Sequence, residues 1–372
     1  MSVIQTVGLG SLTAIKTGRL DANASVDDGA YPFFTCSKKP LKIDRYSFDG
    51  DYVLVAGNGD LNVKHYIGKF DAYQRTYAIK SDKEKLDSRF LFYFLSKYID
   101  VLRNQSIGGV IKYIKIGNLT DAKIPLPPLA EQQKIAEILD AADSLRQKDQ
   151  QLIDHYTTLS QSMFLEMFGD PVTNQHGFEK GTIRELLSTA KYGTSAKADD
   201  SGKYPYLRMN NITYEGEMDF FSLKYINIDE NDKEKYLVKK GDVLFNRTNS
   251  KELVGKTGLY NEDEAMIIAG YLIRLRVSEQ ANPYYLWGYL NSKHGKLTLA
   301  HMCKSIVGMA NINAQELQNI KILLPPILLQ EHFAKKNQAI EAQKKQAKAS
   351  LEKSNDLFNS LLQRAFNGEL NS

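Results

Sequence analysis

The sequence predicts an α+β protein in which two long antiparallel coiled-coil helices separate two strand-containing globular domains, with an internal pseudo-twofold repeat. Three observations lead to this prediction. Most of the chain occurs as two related copies, each copy contains short strand-like runs followed by a helical run, and each copy ends in a long segment with heptad spacing. The 372 residues, of which 42% are hydrophobic, suffice for two domains with separate cores.

Short motifs in the first half of the chain recur in the same order in the second half. The matched pairs are Tyr31-Pro32 with Tyr204-Pro205, Gly50-Asp51 with Gly241-Asp242, Ser106-Ile107 with Ser305-Ile306, and Leu126-Pro127-Pro128 with Leu324-Pro325-Pro326. The helical segments align in register, whereas the spacing of the motifs in the globular segments differs between copies. We therefore expect one scaffold that carries two different recognition surfaces.

Each globular segment combines strand-like runs with a helical run. The strand-like runs are residues 51–55, 242–245, 266–268 and 271–277, and the helical runs are 88–95 and 283–290. Because strands and helices are segregated along each copy, an α+β domain is favoured over an alternating α/β domain.

The segment that follows each Pro-Pro pair has the heptad pattern of a coiled coil. In the first segment, Ile135, Ala142, Tyr156 and Met163 share one heptad position, interrupted by Asp149, while Ile138, Leu145, Leu152 and Leu159 share a second. In the second segment, Phe333, Ile340, Ala347 and Leu361 form one seam, but Lys336, Gln343 and Ser350 occupy the expected second seam. About 40 residues at ~1.5 Å each give a helix about 60 Å long. An intramolecular spacer and a dimerisation coiled coil both fit this pattern.

The residues that start and end each long helix set the predicted domain limits, since proline precedes and glycine follows each helix. We predict a first globular domain at 1–128, a central helix at 129–168, a second globular domain at 169–326 and a distal helix at 327–372.

Composition and motifs argue against several classes of protein. No apolar run is long enough for a membrane helix, the N-terminus does not resemble a signal peptide, and two cysteines cannot form a disulfide framework, so we expect a cytoplasmic protein. The net charge of +4 neither indicates nor excludes nucleic-acid binding. Gly255-Lys256-Thr257 lacks the upstream glycine of a phosphate-binding loop, and the Asn/Asp-Pro-Pro-Tyr/Phe signature of adenine methyltransferases is missing.

The order of motifs resembles the specificity subunit of type I restriction–modification systems over almost the whole chain. The stretch Pro125 to Ile135, which reads Pro-Leu-Pro-Pro-Leu-Ala-Glu-Gln-Gln-Lys-Ile, carries most of the resemblance. The second copy departs from the family pattern, because Leu329-Gln330-Glu331-His332 stands where Glu-Gln-x-x-Ile is usual.

The resemblance implies a non-catalytic subunit with two target-recognition domains, each reading one half of a split, asymmetric DNA site. It implies that the two helices set the spacer between the half-sites and dock two copies of the methyltransferase subunit. It also implies a further association with the restriction and motor subunits. No cofactor or metal is expected in this chain, since S-adenosylmethionine, ATP and magnesium would belong to those partners.

Three regions of each copy carry polar side chains that suit base edges or phosphate. Small residues in the third region, the Ser-Ile-Gly loop, would let the backbone approach phosphate closely. The candidate DNA-binding residues of the first copy are Lys38, Lys39, Asn58, Gly59, Asn62, Lys64, Ser106, Gly108, Gly109 and Lys112. Those of the second copy are Arg208, Asn210, Asn211, Asn246, Arg247, Thr248, Asn249, Ser250, Lys251, Lys304 and Ser305. Arg75 and Tyr271 lie in strand-like stretches, where we expect a structural role.

Two alternatives remain open. The same loops could be surface turns, since turns also favour glycine, asparagine and serine. The near-neutral chain could likewise be a coiled-coil scaffold whose globular domains bind protein rather than DNA. Salt dependence distinguishes these functions, because DNA binding weakens steeply as salt rises.

Overall fold

The computed structural model describes residues 5–250, 253–306 and 309–370, and for residues 304–306 it describes the backbone alone. The chain divides into two compact units. Unit 1 comprises Met1–Gln150 with Ala349–Ser372, and unit 2 comprises Gln151–Lys348. Each unit therefore contains one α+β globular part and a portion of both long helices.

Unit 1 is built around a six-stranded sheet. Its elements are β1 (Thr6–Gly8), β2 (Thr13–Thr17), β3 (Tyr31–Phe34), β4 (Leu41–Ile43), β5 (Phe48–Ala56), β6 (Val63–Ala72), β7 (Thr76–Ser81), α1 (Ser88–Gln105), α2 (Ile116–Thr120), β8 (Lys123–Pro125) and the start of α3 (Leu129–Phe168). The strand order is β2-β7-β5-β6-β3-β4, and β3 pairs with β6 in parallel while the other neighbours are antiparallel. The apolar face of α1 covers β5 and β6, where Val53, Phe90 and Leu91 are fully buried.

Unit 2 contains the same kinds of element, but its strands are shorter and more numerous than those of unit 1. These are β9 (Glu179–Thr182), β10 (Leu187–Tyr192), β11 (Tyr204–Leu207), β12 (Lys224–Ile226), α4 (Glu230–Tyr236), β13 (Leu237–Val238), β14 (Val243–Asn246), β15 (Thr248–Asn249), β16 (Thr257–Leu259), β17 (Met266–Ile268), β18 (Leu272–Val277), α5 (Pro283–Asn291), α6 (Lys293–Met302), β19 (Lys304–Ile306), β20 (Met309–Asn311), α7 (Ala314–Gln318), β21 (Lys321–Leu324) and α8 (Ile327–Asn367). Its two main sheets have the orders β10-β18-β14-β16 and β12-β11-β17-β13.

The internal repeat is confirmed by the connectivity of the strands. In unit 1 the hairpin β5–β6 is continuous, whereas in unit 2 the corresponding hairpin is split into the pairs β14–β16 and β13–β17. The two Tyr-Pro motifs lie in equivalent strands, β3 and β11. β3 pairs in parallel with β6, and β11 pairs in parallel with β17, which is the second strand of the hairpin in each case. The two copies differ in length because of insertions. These insertions break the long strands of the hairpin in unit 2, but the order in which the strands pair is the same in both units.

A buried glutamine follows the Pro-Pro motif at the start of each long helix. The Gln132 amide nitrogen donates to the carbonyl oxygens of Lys85 (2.9 Å) and Pro127 (2.8 Å), and its Oε1 accepts from the Asp87 N–H (3.0 Å). The contacts with Lys85 and Asp87 tie the helix start to the N-terminus of α1, because Asp87 is the N-cap residue of that helix.

Gln330 repeats this arrangement in unit 2. Its amide nitrogen donates to the Pro325 carbonyl and its Oε1 accepts from the N–H of Asn282, the N-cap of α5, both at 2.8 Å. The departure from the family pattern around Gln330 therefore leaves the structural glutamine in place.

Within each unit the portions of α3 and α8 pack antiparallel, and the polar interruptions of the heptads pair with each other. In unit 1 the buried carboxylate of Asp149 accepts hydrogen bonds from Ser350 (3.1 Å) and Ser354 (2.6 Å). In unit 2 the buried Asn337 amide donates to Ser160 Oγ (3.1 Å). These pairs satisfy polar groups that the apolar seam cannot accommodate.

The prediction that Ile138, Leu145, Leu152 and Leu159 form a buried seam of α3 is wrong. The three leucines are 40–45% exposed and Ile138 is half-buried, while Leu139 and Ile153, each one residue further along, are buried. The buried face is rotated because α3 packs on its globular part as well as on α8. In unit 1, Leu139 shares a core with Phe90 of α1 and Phe358 of α8.

No helix among the described residues combines the length and the apolar character that a bilayer-spanning segment requires.

Candidate nucleic-acid interface

Three loops of unit 1, residues 36–39, 57–64 and 106–115, meet through hydrogen bonds. Together with Arg75 they form what we call loop cluster 1. The Gly59 N–H donates to the Lys112 carbonyl (3.1 Å), and the Ile114 N–H donates to the Gly57 carbonyl (2.9 Å). The Asn62 amide donates to the Cys36 carbonyl (2.8 Å), which joins the loop that follows β3. The structure thus brings together all three predicted regions of the first copy.

The candidate residues of loop cluster 1 fall into two groups by exposure. Exposed residues are Lys38, Lys39, Gly59, Gly108, Gly109 and Lys112, and half-buried residues are Asn58, Asn62, Lys64 and Ser106. The Asn62 amide also donates to the Asp60 carbonyl (2.8 Å), so this side chain holds the loops together. Burial lowers the pKa of Lys64, which contacts Asn62. The exposed lysines and glycines are consequently the groups available to a phosphate backbone.

Unit 2 presents an equivalent set of loops, loop cluster 2, which comprises residues 208–211, 247–250 and 271 and the hairpin β19–β20. Thr248 pairs in register with Asn311 of β20, and its hydroxyl donates to the Asn311 side chain (3.1 Å). The Asn249 amide donates to the Met209 sulfur (3.9 Å), which links the loop after β11. The predicted regions of the second copy therefore also converge.

The backbone frame of the two clusters is the same. In cluster 1 the Gly57 N–H donates to the Arg75 carbonyl (2.7 Å), and the Gly57 carbonyl accepts from Ile114. In cluster 2 the Arg247 N–H donates to the Tyr271 carbonyl (3.0 Å), and the Arg247 carbonyl accepts from the Ile312 N–H (2.9 Å). Gly57 and Arg247 are thus structurally equivalent, as are Arg75 and Tyr271, so one frame displays different side chains.

The expectation that Arg75 and Tyr271 lie in strands is wrong. Both residues occupy the turn immediately before a strand, β7 in one unit and β18 in the other, and both side chains are exposed. The Arg75 guanidinium lies 6.0 Å from the Tyr113 ring centroid within loop cluster 1. Both residues therefore lie at the candidate interface, next to the strands in which the sequence pattern placed them.

The Arg247 side chain is held by an aromatic ring. Its guanidinium carbon lies 4.9 Å from the centroid of Tyr192, and the Tyr192 hydroxyl accepts from the Ala314 N–H (2.8 Å). Its Nε is buried and has no hydrogen-bond partner among the described residues. An aromatic contact of this kind restricts the guanidinium, whose planar pair of donors suits the bidentate recognition of guanine.

The prediction that Asn211 and Asn246 of unit 2 contact DNA is wrong, because both side chains are buried. Asn211 is almost fully buried, where its Oδ1 accepts from the Arg208 N–H (2.9 Å) and its amide donates to the Asp219 carbonyl (2.8 Å). Asn246 is fully buried at the end of β14. Neither amide can reach a base edge, because each one lies in the interior next to backbone groups.

The other candidates of the second copy are distributed as follows. Asn210 is exposed, and Arg208, Arg247, Thr248, Asn249 and Ser250 are half-buried. The Arg208 guanidinium donates to the Ser222 carbonyl (3.1 Å). Lys304 and Ser305 lie in strand β19. Lys251 lies outside the described residues.

The lysine of the Gly255-Lys256-Thr257 segment supports loop cluster 2 instead of binding phosphate. Lys256 is buried, and its ammonium donates to the carbonyls of Met209 (2.6 Å) and Ile212 (2.5 Å). Burial lowers its pKa. The charge is therefore used to fix the loop that carries Arg208 and Asn210.

We expect Lys256→Met to lower the free energy of unfolding of unit 2 by about 2 kcal/mol, because the buried Ile212 carbonyl and the part-buried Met209 carbonyl lose their donor. The chain contains one tryptophan, Trp287, which is buried in unit 2. Urea titration followed by Trp287 fluorescence measures this loss. Lys293→Met, which removes an exposed lysine of the same unit, is the matched control. Equal stability of the two variants would contradict a supporting role for Lys256.

Among the described residues, no group of three or more histidine, cysteine or acidic side chains is arranged to hold a metal ion.

Comparisons with known proteins agree with this arrangement. A family model described as "Type I restriction modification DNA specificity domain" matches residues 1–154 and again 176–353. The specificity subunit of the type I restriction enzyme EcoDI from Escherichia coli is 46% identical over 136 residues, which cover 37% of this chain and 30% of that protein. The EcoKI specificity subunit from Escherichia coli (strain K12) is 28% identical over 305 residues, which cover 76% and 66%. The chain thus spans less than two thirds of these relatives' own lengths.

The fold recurs in a solved structure. The crystal structure of the type I restriction–modification system S subunit from M. genitalium superposes with a TM-score of 0.63 at 18% identity, covering 97% of this chain and 96% of that one. This similarity concerns the fold, since so few residues are identical.

Proposed function

Because this chain belongs to the type I restriction–modification DNA specificity domain family, whose model matches residues 1–154 and 176–353, we propose that it is the DNA-specificity subunit of such a complex. Loop cluster 1 recognises one half of a split site and loop cluster 2 recognises the other. The chain itself performs no chemistry. It positions enzymes that do.

The observation that carries this proposal is the shared backbone frame with different side chains. Gly57 and Arg75 of cluster 1 correspond to Arg247 and Tyr271 of cluster 2, through equivalent hydrogen bonds. Identical frames favour the same mode of docking to a duplex, whereas different side chains contact different base edges. The recognised site is therefore bipartite and asymmetric.

Phosphate contacts come from the exposed lysines around cluster 1. Lys38, Lys39 and Lys112 are exposed there, although Lys38 lies 3.5 Å from Asp60 in an exposed ion pair. Such a pair contributes little in water and exchanges readily for a phosphate. Local clustering of this kind permits DNA binding although the net charge is only +4.

The paired helices set the spacer between the half-sites and dock two methyltransferase subunits, one on each unit. Exposed leucines on the helices support a docking role. Unit 1 exposes Leu145 and Leu357, and unit 2 exposes Leu152, Leu159 and Leu328. S-adenosylmethionine belongs to the methyltransferase, and ATP and magnesium belong to a restriction and motor subunit that completes the complex.

A genome-wide map of methyladenine by single-molecule sequencing, with and without this gene, tests the proposal. We expect methylation to disappear at one split motif, whose two halves and spacer the map defines directly. If methylation is unchanged in a cell with an active methyltransferase partner, the chain is not its specificity subunit and the scaffold function is favoured. Binding to the mapped site should also weaken steeply as salt rises.

A further inference from the structure

A short hairpin in loop cluster 1 carries exposed apolar side chains at its tip. The hairpin is closed by two hydrogen bonds between Ile107 and Tyr113, from N–H to carbonyl in both directions (2.9 and 2.8 Å). Val110 at the tip is fully exposed, the next residue, Ile111, is 62% exposed, and Ile107 is 43% exposed. Among the described residues Val110 is the most exposed large apolar side chain.

The composition of this tip is unusual for a free turn. Turns favour glycine, asparagine, aspartate and serine. The exposure of β-branched apolar side chains to water is unfavourable and does not stabilise such a turn. Gly108 has φ +117°, and a Cβ at this position would lie 2.6 Å from the Ile111 carbonyl oxygen, so the hairpin is narrow. A Cβ at Gly109 would meet nothing within 4 Å. Gly108 therefore permits the narrow base of the tip, whereas the space at Gly109 is open. Val110 and Ile111 follow as exposed side chains.

The size of the tip argues against a protein partner. Three side chains provide far less area than the roughly 800 Å² per partner of a stable protein interface. They match in number and type the apolar wedges that architectural proteins insert between base pairs.

The surroundings of the tip indicate DNA as its occupant. The hairpin is joined to the rest of loop cluster 1 through the hydrogen bond between Gly59 and Lys112. Lys112 and Lys115 follow the tip and are exposed, and the Arg75 guanidinium lies over the Tyr113 ring at its base. The apolar tip with its neighbouring cationic side chains is complementary to a base-pair step, whose stacked bases are apolar and whose phosphates are negatively charged.

We propose that Val110 and Ile111 form a wedge that inserts between two base pairs of the first half-site, unstacks that step and bends the duplex. This inference rests on the proposed function and deepens it, because a step that unstacks easily is then selected without any hydrogen bond to its bases. In unit 2 the corresponding hairpin is β19–β20, where Met309 is exposed and residues 307–308 lie outside the described residues.

The test uses the full chain with its methyltransferase partner and duplexes containing the mapped site. 2-Aminopurine is placed in turn at each position of the first half-site except the methylated adenine, because a methyltransferase extrudes its own target base, and its fluorescence reports unstacking. We expect one position to brighten severalfold on binding. The double variant Val110→Ser/Ile111→Ser should abolish the signal, reduce bending measured by end-to-end energy transfer, and weaken specific binding about tenfold.

The control variant is Ile67→Ser, which removes an apolar side chain of unit 1 that is 66% exposed on β6. It should leave the signal and the affinity unchanged. Because Val110 and Ile111 are exposed, we expect both variants to keep the thermal midpoint of the parent chain.

No brightening at any position, with specific binding intact, overturns the wedge and leaves the proposed function standing. If binding drops in the double variant without unstacking, and replacing thymine with uracil reproduces the drop, the tip contacts a thymine methyl group instead of acting as a wedge. If the parent complex does not prefer the mapped site to a scrambled duplex, the proposed function fails and the wedge fails with it.

Discussion

Replacing Arg247 with alanine is expected to weaken binding to the cognate site by roughly 10- to 100-fold, which corresponds to about 1–3 kcal/mol for a bidentate base contact. The loss should be confined to the second half-site, because Arg247 belongs to loop cluster 2. Its guanidinium carbon lies 4.9 Å from the centroid of the Tyr192 ring, which restricts the side chain in the free protein. Competition binding, with base substitutions in each half of the mapped site, measures both the size and the location of the effect.

Two control variants separate base recognition from charge. Arg247→Lys keeps the charge but lacks the planar pair of donors, so it should lose discrimination at one base pair while its salt dependence stays unchanged. Arg184→Ala removes an exposed arginine of unit 2 that contacts Asn319 instead of the loops, and should leave specificity intact. If Arg247→Ala weakens binding to every sequence equally, Arg247 contacts phosphate and the assignment to a base is wrong.

Gln132→Leu is expected to lower the free energy of unfolding of unit 1 by about 3–5 kcal/mol, the largest stability effect that we expect. The substitution leaves the Pro127 carbonyl buried without this partner, and it removes the same partner from the part-buried Lys85 carbonyl and Asp87 N–H; a buried group left unpaired costs about 1–3 kcal/mol, and the part-buried groups cost less. Calorimetry should show a lower first transition, whereas Trp287 fluorescence, which reports unit 2, should change little.

The repeat provides a matched comparison for this prediction. Gln330→Leu removes the equivalent contacts in unit 2, so it should shift the Trp287 transition. Gln133→Leu makes the same chemical change at the exposed neighbour of Gln132 and should have almost no effect on either transition. If Gln132→Leu and Gln133→Leu unfold at the same midpoint, the buried glutamine is not what holds the helix start to α1.

Local patterns were sufficient to predict the fold and the position of the loops. Repeated Tyr-Pro and Pro-Pro pairs identify equivalent strands and helix starts, since proline restricts the backbone in the same way wherever it stands. The three candidate regions of each copy were predicted as separate loops, and the structure joins them through contacts such as Gly59 with Lys112 and Asn249 with Met209.

The same patterns were insufficient to predict exposure. Asn211 and Asn246 have the side chain that suits adenine, yet both are buried next to backbone groups. Leu145, Leu152 and Leu159 have heptad spacing, yet they are exposed because α3 also packs on its globular part. Residue type and spacing do not reveal which face of an element meets a neighbour that is distant in sequence.

The sequence by itself determined the repeat, the α+β class of each copy, the two long helices and the approximate place of the candidate loops, because these follow from local propensity and periodicity. Tertiary structure alone decided that Gly57 and Arg247 are equivalent, that Arg75 and Tyr271 belong to the loops, and that Gln132 and Gln330 fix the helix starts. Each of these depends on hydrogen bonds between segments far apart along the chain, and the geometry of such bonds exists only once the chain has folded.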